Sequence, residues 1–327
     1  MGGHSASKWF LILLVCLIAS IYVSLVTGRL PTPLNPVEWK GTVEYVVYEL
    51  RLPRILLAVL IGMGLAATGA AYQSMFKNPL ASPKILGTTD GAAVGIAAAI
   101  VFIGYNRLVI EAAGFATGLL ATLAALYLSR AIRYGGSILR LILAGMAVSA
   151  FSSALLGLVK FQADPYQVLP TITFWLLGSL NGKGWGDLAY AGPMIIAGLV
   201  VLFLLRWRIN ILGLSDEEAL SLGINPRLYR GIVIASGSLI VSASTSVAGS
   251  IAWLGLLMPH LARGLFGADN RYVIPASALI GSILLLLCDT YARSAATYEI
   301  PLGIVLSFVS APIFVVVLSR GALRWRR

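Results

Sequence analysis

Long apolar stretches alternate with short polar connections along the whole chain. Most of these stretches have roughly the 20 residues that a helix needs to cross the hydrocarbon core of a bilayer. Residues 91–104 and 251–263 are shorter, and Pro259 predicts that the second of these ends there. The pattern predicts about ten membrane-spanning helices, with both termini on one side, at residues 9–27, 51–72, 91–104, 108–128, 138–158, 188–205, 231–247, 251–263, 273–288 and 301–318.

The composition is that of a membrane protein. Hydrophobic residues make up 58% of the 327 residues, charged residues make up 11%, and the mean hydropathy is +0.89. Such a chain has too few polar side chains to cover a soluble globule. We therefore expect an all-α polytopic protein in the lipid bilayer, in which residues 1–327 form a single transmembrane domain. The net charge of +11 does not indicate a nucleic-acid partner, because the basic residues form no run interleaved with aromatics.

The basic residues are shared unevenly between the two sides of the predicted topology. The side that holds both termini carries Lys8, Lys77, Lys84, Arg130, Arg133, Arg140, Arg206, Arg208, Arg227, Arg230, Arg263, Arg271, Arg320, Arg324, Arg326 and Arg327. The other side carries Arg29, Lys40, Arg51, Arg54, Arg107, Lys160, Lys183 and Arg293. Cytoplasmic loops are enriched in Lys and Arg, so this bias predicts a multi-pass protein of the cell membrane with both termini in the cytoplasm.

Small residues recur every four positions in two of the predicted spans. In the span 51–72 they are Gly62, Ala66 and Ala70, which allow helix backbones to approach closely in lipid. In the span 138–158 they are Gly145, Ser149, Ser153 and Gly157. This second face is partly hydroxylated, and it is consistent either with close helix packing or with the lining of an aqueous path.

A cluster of acidic residues stands out at residues 214–230, between two apolar segments. Ser215 and Glu218 have the spacing of a capping box, and Asp216 and Glu217 would also lie in the first helical turn, where the helix dipole favours negative charge. Gly223 is a stop signal for this short helix, and a second helix would begin after Asn225. A two-turn helix is marginal alone in water, so the segment predicts either a solvated connection or a docking element for a partner.

The chain lacks the residues that several kinds of chemistry require. No GxxxxGK[ST] motif occurs, so the chain has no phosphate-binding loop of its own. Only two histidines are present, and His260 is interpreted as a packing residue, so no metal site is predicted. The acids Asp289 and Glu111 have basic residues four positions away, at Arg293 and Arg107, and we expect both to be paired near the surface. This expectation leaves no unpaired carboxylate for a proton relay in the membrane.

Four long stretches resemble the permease subunits of ATP-binding-cassette (ABC) importers of the FecCD type. They are RLPRILLAVLIGMGLAATGAAYQSMFKNPLASPKILGTTDGAA at residues 51–93, LSDEEALSLGIN at 214–225, VAGSIAWLGLLMPHLARGLFGADNR at 247–271 and CDTYARSAATYEIPLGIVLSFVSAPIF at 288–314. The matches are long and ordered and cover most of the chain. The resemblance implies a type II importer fold with ten helices in each permease subunit.

The same resemblance implies a set of partners. These are a second permease copy, expected to be identical, two cytoplasmic ATPase subunits that hold ATP and Mg²⁺, and an extracytoplasmic substrate-binding protein. The chain itself would need no cofactor and would not be an enzyme. Residues 214–229 would form the coupling helices that seat in the ATPase, with contacts from Ser215, Asp216, Glu217, Glu218, Ala219, Leu220, Leu222 and Gly223. Arg51, Arg54 and Arg293 would dock the binding protein.

The cargo and its route are less defined. The face Gly145, Ser149, Ser153 and Gly157 and the face Gly303 and Ser307 are candidates for the pathway or its gate. Relatives with this resemblance carry siderophore iron, haem, cobalamin or molybdate, and we favour an iron–siderophore chelate. An ATP-independent secondary transporter is the alternative from another class, and it would need a charged or ion-binding site within the membrane.

Overall fold

A computed structural model describes residues 3–30 and 32–319, and the regular structure within these ranges is helical. Arg320, Arg324, Arg326 and Arg327, which the charge analysis assigns to the cytoplasm, lie outside the described residues. The helices are α1 Gly3–Val26, α2 Thr42–Tyr45, α3 Leu52–Met75, α4 Thr88–Phe102, α5 Arg107–Ala131, α6 Ser137–Gln162, α7 Val168–Leu176, α8 Trp185–Leu212, α9 Asp216–Ser221, α10 Pro226–Ala248, α11 Leu254–Phe266, α12 Asn270–Ser294 and α13 Leu302–Ser319.

The predicted spans correspond to helices of two lengths. Within the described residues, seven helical segments are long and apolar enough to cross a membrane. The shorter apolar helices α4, α11 and α13 contain 15, 13 and 18 residues and account for the remaining predicted spans. The all-α polytopic architecture with about ten spans is therefore confirmed.

Helical structure before α3 begins earlier than the sequence predicts. The predicted spans 9–27 and 51–72 leave a polar connection between them, but the chain becomes helical at Thr42 and passes through a π-helical turn, Val46–Arg51, into α3. The Leu52 amide donates to the carbonyl of Val47, five residues back. This wider turn accommodates Pro53, which has no amide hydrogen to continue an α-helical ladder.

α3 is the central helix, and its small residues let neighbouring backbones approach closely. A Cβ on Gly62 would lie 2.6 Å from the carbonyl oxygen of Gly281 in α12, and one on Gly69 would lie 1.9 Å from the carbonyl oxygen of Gly255 in α11. Ala66 and Ala70 are fully buried on the same helix. The predicted small-residue face of α3 is thus a packing face, against α12 and α11.

α11 continues through Pro259 instead of ending there. A proline in a helix frees carbonyl groups one turn earlier, and in lipid these groups must find another donor. The side-chain amide of Gln73, on α3, donates to the carbonyl of Leu256 at 3.0 Å and to that of Gly255 at 3.4 Å. This tertiary contact allows the helix to run on to Phe266.

The two ends of the bundle are distinguished by their side chains. Arg51, Arg54 and Arg293 lie at one end, here called the arginine end, and Lys183 lines the same cavity. α8 runs from this end to the opposite one, here called the α9 end, because α9 follows α8 directly. These basic residues share one end, as the charge analysis predicts.

Lys84 departs from that analysis, which places it with the residues of the α9 end. It belongs to a short 3₁₀ helix, Pro83–Leu86, that leads into α4. The neighbouring Gly87 packs against Val148 and Ser149, about midway along α6. Lys84 therefore lies in the interior of the bundle, because α4 starts there and does not start at the bundle surface. The connection between α3 and α4 re-enters the membrane, which apolarity along the chain does not reveal.

Candidate coupling and transport sites

α9 has the capping box that its sequence predicts. Ser215 Oγ accepts a hydrogen bond from the Glu218 amide at 3.2 Å, and Glu218 Oε2 accepts from the Ser215 amide at 2.8 Å. These bonds satisfy amides at the helix start and lower the pKa of the Glu218 carboxyl. Gly223 then takes a φ of +76°, and Asn225 Oδ1 accepts from the amides of Arg227 and Leu228 to start α10.

α9 is fastened to the membrane helices on one side and exposed on the other. Arg230 of α10 donates to Asp216 at 2.5 Å and to Ser137 Oγ, at the start of α6, at 3.2 Å. The hydrogen bond and the charge of Arg230 lower the pKa of Asp216. Ala219 is buried beneath the helix. The anchored side thus joins α9 to both α10 and α6.

The exposed side of α9 is apolar as well as acidic. Leu220 and Leu222 expose 59% and 58% of their surface, and Leu214 and Leu228 beside them are also exposed. Glu217 is exposed on the same helix. Exposed leucines at the end of a membrane bundle are costly in water, so this surface is a candidate for protein contact. Of the predicted coupling residues, Ala219 is the one that faces inward.

The three arginines predicted to dock a binding protein line one cavity of about 460 Å³ at the arginine end. Arg54 binds Asp289 at 2.8 Å and Glu299 at 2.9 Å through the same Nη2 atom. Asp289 is fully buried. It is paired, as predicted, and Arg293 approaches it at 4.0 Å. The main partner is nevertheless Arg54, which lies 235 positions away in the chain.

Arg51 and Arg293 are also held by internal acceptors. Arg51 donates to the carbonyls of Leu25 and Leu30 at 2.6 and 2.8 Å, and Arg293 donates to Ser24 Oγ at 2.9 Å. These bonds tie the end of α1 to α3 and α12. The guanidinium groups are at most slightly exposed, so a docking partner would meet the rim of this network first. Docking by these arginines stays a prediction.

A second ion network lies at the same end. Lys183 binds Glu111 at 3.0 Å and Asp187 at 3.1 Å, and Arg107 binds Glu111 at 3.2 Å and also contacts Asp187. The predicted pair of Arg107 and Glu111 is therefore present, in a larger network. Both acids are buried, and the network joins the starts of α5 and α8.

The predicted pathway residues fall into two groups. Gly145 is a packing position, because a Cβ there would lie 2.1 Å from the carbonyl oxygen of Ile85. Ser149 is half-buried, whereas Ser153 and Gly157, further along α6, are exposed on this single chain. α6 thus packs on the re-entrant connection near one end and leaves its small face open near the other. A role of these residues in the pathway stays a prediction.

The second predicted face, on α13, meets the end of α7 and the connection between α10 and α11. A Cβ on Gly303 would lie 2.4 Å from the carbonyl oxygen of Leu177. Ser307, one turn further on, accepts a hydrogen bond from Trp253 Nε1 at 3.1 Å. Trp253 has a φ of +71°, a strained value for a residue with a side chain. No local signal in the sequence marks Trp253, because its conformation depends on contacts far away in the chain.

The described residues contain no group of three or more His, Cys, Asp or Glu side chains that could hold a metal ion. His260 is buried and its Nε2 lies 3.0 Å from the carbonyl oxygen of Pro79. Its ring therefore joins α11 to the connection that follows α3, which agrees with its interpretation as a packing residue.

Comparison with known proteins places the chain in a family. The model of the FecCD transport family matches residues 8–320. The chain belongs to the FecCD transport family. It is 38% identical, over 96% of this chain and 98% of the relative, to an iron chelatin transport system permease protein of Helicobacter pylori. It is 37% identical to the molybdate import system permease protein MolB of Haemophilus influenzae, over 86% of this chain and 83% of that protein.

A solved structure supports the same assignment. An inward-facing conformation of a metal-chelate type ABC transporter matches with a TM-score of 0.89 and 34% identity, over 96% of this chain and 99% of the other. The resemblance stated from the four sequence stretches is confirmed, and the fold is that of a type II ABC importer permease. The FecCD chain is thus a multi-pass membrane protein and a transport subunit.

Proposed function

We propose that this FecCD chain is the permease of an ABC importer that carries a metal chelate, with an iron–siderophore chelate as the favoured cargo. Two copies would surround a central pathway, two separate ATPase subunits would bind ATP and Mg²⁺, and an extracytoplasmic binding protein would deliver the cargo. The observation that carries the proposal is α9, a capped acidic helix with exposed leucines at the end of a ten-helix membrane bundle.

Coupling would be mechanical. α9 is connected to α8 by a short turn and to α10 and α6 through Arg230, so a displacement of α9 would be transmitted to three membrane helices. When ATP draws the ATPases together, the seated helices would move with them and tilt the helices that bound the pathway. This is an alternating-access change between two packed states.

The proposed partners imply which end of the bundle faces the cytoplasm. The α9 end would face the cytoplasm, where the ATPases are, and both termini would lie on that side. The arginine end would face outward, and Arg51, Arg54 and Arg293 would surround the site at which the binding protein docks. The exposed Glu49 and the part-exposed Glu299 line the same cavity, so the rim carries both charges.

The cargo class is proposed from the named relatives. The relatives described above are named for different cargoes, an iron chelatin and molybdate. An iron chelate is favoured because the relative named for one is matched over nearly its whole length. Siderophore iron, haem, cobalamin and molybdate would be distinguished by measuring which of them the cognate binding protein binds.

The proposal is tested by purification and transport. The tagged chain should co-purify with an ATPase, and proteoliposomes containing the complex should take up cargo with ATP in a vanadate-sensitive manner. Reversal of Asp216, Glu217 and Glu218 to Lys should leave ATP hydrolysis in place and uncouple it from uptake. Uptake that needs no ATPase subunit would contradict the proposal.

One observation bears on the secondary-transporter alternative. Asp90 lies in the first turn of α4, inside the bundle, and among the described residues it forms no ion pair. The expectation that pairing of Asp289 and Glu111 leaves no unpaired carboxylate in the membrane is therefore wrong, because Asp90 lies where α4 begins, at mid-depth. A proton-coupled carrier would lose uptake with a protonophore, whereas an ABC importer would lose it with vanadate.

A further inference from the structure

A lysine that forms no ion pair with the described residues lines a cleft in the interior of the bundle. The cleft has a volume of about 190 Å³, and its walls include Lys84, Thr89, Thr245 and Trp253. Lys84 Nζ donates to Ser250 Oγ at 2.9 Å. Asp90 acts on the ammonium group only through longer-range attraction, and no described carboxylate forms an ion pair with it. One neutral hydroxyl is thus its direct partner.

Burial of the charged Lys84 at this depth is energetically unfavourable unless the charge binds a ligand. Leu65, near the middle of α3, forms another wall of the cleft, so the ammonium group lies well inside the membrane. Removing a charge from water is energetically costly unless a partner compensates it. Ionisable groups inside a membrane bundle typically face a pathway or a ligand. A Met or Leu would fill the same volume without this cost.

Two helix starts add positive potential to the same cleft. α4 and α11 both begin there, and Thr89 of α4 and Gly255 of α11 are among its walls. Neither start has a side-chain cap. The amides of the first turn of a helix carry a partial positive charge, and interrupted membrane helices often direct such ends at anionic cargo. The lysine and the two helix starts therefore favour an anion.

Residues in or beside the cleft contact both faces that the sequence predicts for the pathway. Ile85, next to Lys84, packs with its carbonyl oxygen against Gly145. On the other side, Trp253 lines the cleft and bonds Ser307. A solute that passes between these two faces would meet the ammonium group of Lys84.

We propose that Lys84 is an anion-recognition site on the transport route, and that the cargo is negatively charged. A metal chelate with free carboxylate or catecholate oxygens, or an oxyanion, has the chemistry that an ammonium group and the positive end of a helix bind. Asp90 keeps the site weak, because a cargo held too strongly would not leave. This inference rests on the proposed function and narrows its cargo class.

Transport by the complete complex tests the proposal. ATP-driven uptake into proteoliposomes is measured for ferric dicitrate and molybdate, which are anionic, and for a neutral ferric tris-hydroxamate. Lys84→Met removes the charge and keeps the length, and Lys84→Arg keeps the charge. Lys8→Met, at an exposed position on α1, is the matched control. We expect uptake of an anionic cargo, reduced about tenfold or more by Lys84→Met and largely kept by the other two variants.

Three results of the transport assay would overturn the inference while leaving the importer function intact. One is vanadate-sensitive uptake of the neutral chelate alone, and another is equal anion uptake by wild type and Lys84→Met. Recovery of uptake in Lys84→Met combined with Asp90→Asn would also overturn it, since Lys84 would then serve only to offset Asp90. Absence of ATP-driven uptake for these probes and also for haem and cobalamin would count against the proposed function instead.

A second readout does not depend on transport. The purified complex is acetylated with a small lysine reagent in the presence of citrate, molybdate or sucrose. Each solute is present at about 10 mM, close to the weak affinity expected of such a site. Peptide mapping then gives the acetylated fraction of Lys84 and of Lys8. Protection of Lys84 by the anions, but not by sucrose, and unchanged labelling of Lys8 are expected. Equal labelling of Lys84 in all three solutions, or no reaction at all, would overturn the inference.

Discussion

Neutralising Asp289 should destabilise the bundle far more than neutralising Glu299, although both carboxylates bind Arg54. Asp289 has no exposed side-chain surface, whereas Glu299 exposes 18% of its side chain. Removing one partner of a buried ion pair costs roughly 3–5 kcal/mol. Because Glu299 remains bound to Arg54, we expect the lower end, about 3 kcal/mol, for Asp289→Asn. For Glu299→Gln we expect about 1 kcal/mol.

A double-variant cycle gives the sharper test. In Asp289→Asn the charge of Arg54 is left buried with less compensation, and Arg54→Met removes that charge. The double variant should therefore cost less than the sum of the two single variants, with a coupling on the order of 1–3 kcal/mol. Strict additivity would show that the two groups do not stabilise the fold as a pair.

The chain supplies its own reporter for the assay. Cys288 is buried beside Asp289, and Cys16 is exposed. In a Cys16→Ala background, a fluorescent maleimide reacts with Cys288 only as the detergent-solubilised protein unfolds on heating. Asp289→Asn should lower the Tm by roughly 5–10 °C. Equal Tm values for Asp289→Asn and Glu299→Gln would refute the reasoning from burial.

Three further outcomes follow from other contacts. Gly69→Val should abolish stable expression, because its side chain would occupy the position of the Gly255 backbone, and fluorescence-detected size exclusion measures this. Gln73→Leu should lower stability by about 1–3 kcal/mol in thermal unfolding, because carbonyls freed by the proline of α11 lose their donor. Arg230 lowers the pKa of Asp216, so the contribution of this pair is present above the unfolded-state pKa and is lost as pH falls through the lower folded-state pKa. A spin label on α9 should keep constant mobility from pH 8 to about pH 5 and gain mobility only in stronger acid.

Local features of the chain were predictable from the sequence. The capping box of Ser215 and Glu218, the left-handed Gly223 and the cap at Asn225 depend on neighbours within four residues, and all three are present. The apolar spans were predictable for the same reason, since each helix must satisfy its own backbone in lipid. Features that depend only on residues close together in the chain can therefore be predicted from the sequence.

Features that depend on distant residues were not predictable in this way. Gln73 and Pro259 are far apart in the chain, so the continuation of α11 could not be read from the proline alone. The pairing of Arg54 with Asp289 is likewise non-local, and it takes precedence over the i+4 pair of Asp289 and Arg293. The depth of Lys84 depends on how a connection folds back into the bundle, which its polar sequence does not indicate.

The most direct test of the account is the number of cargo molecules imported for each ATP hydrolysed by the reconstituted complex. The variant has Asp216, Glu217 and Glu218 replaced by Lys, and Lys8→Met is its control. The account predicts that the variant hydrolyses ATP while its import falls to the level seen without ATP, and that the control behaves as wild type. Import by the charge-reversed variant at the wild-type ratio would contradict the claim that α9 couples this permease to an ATPase.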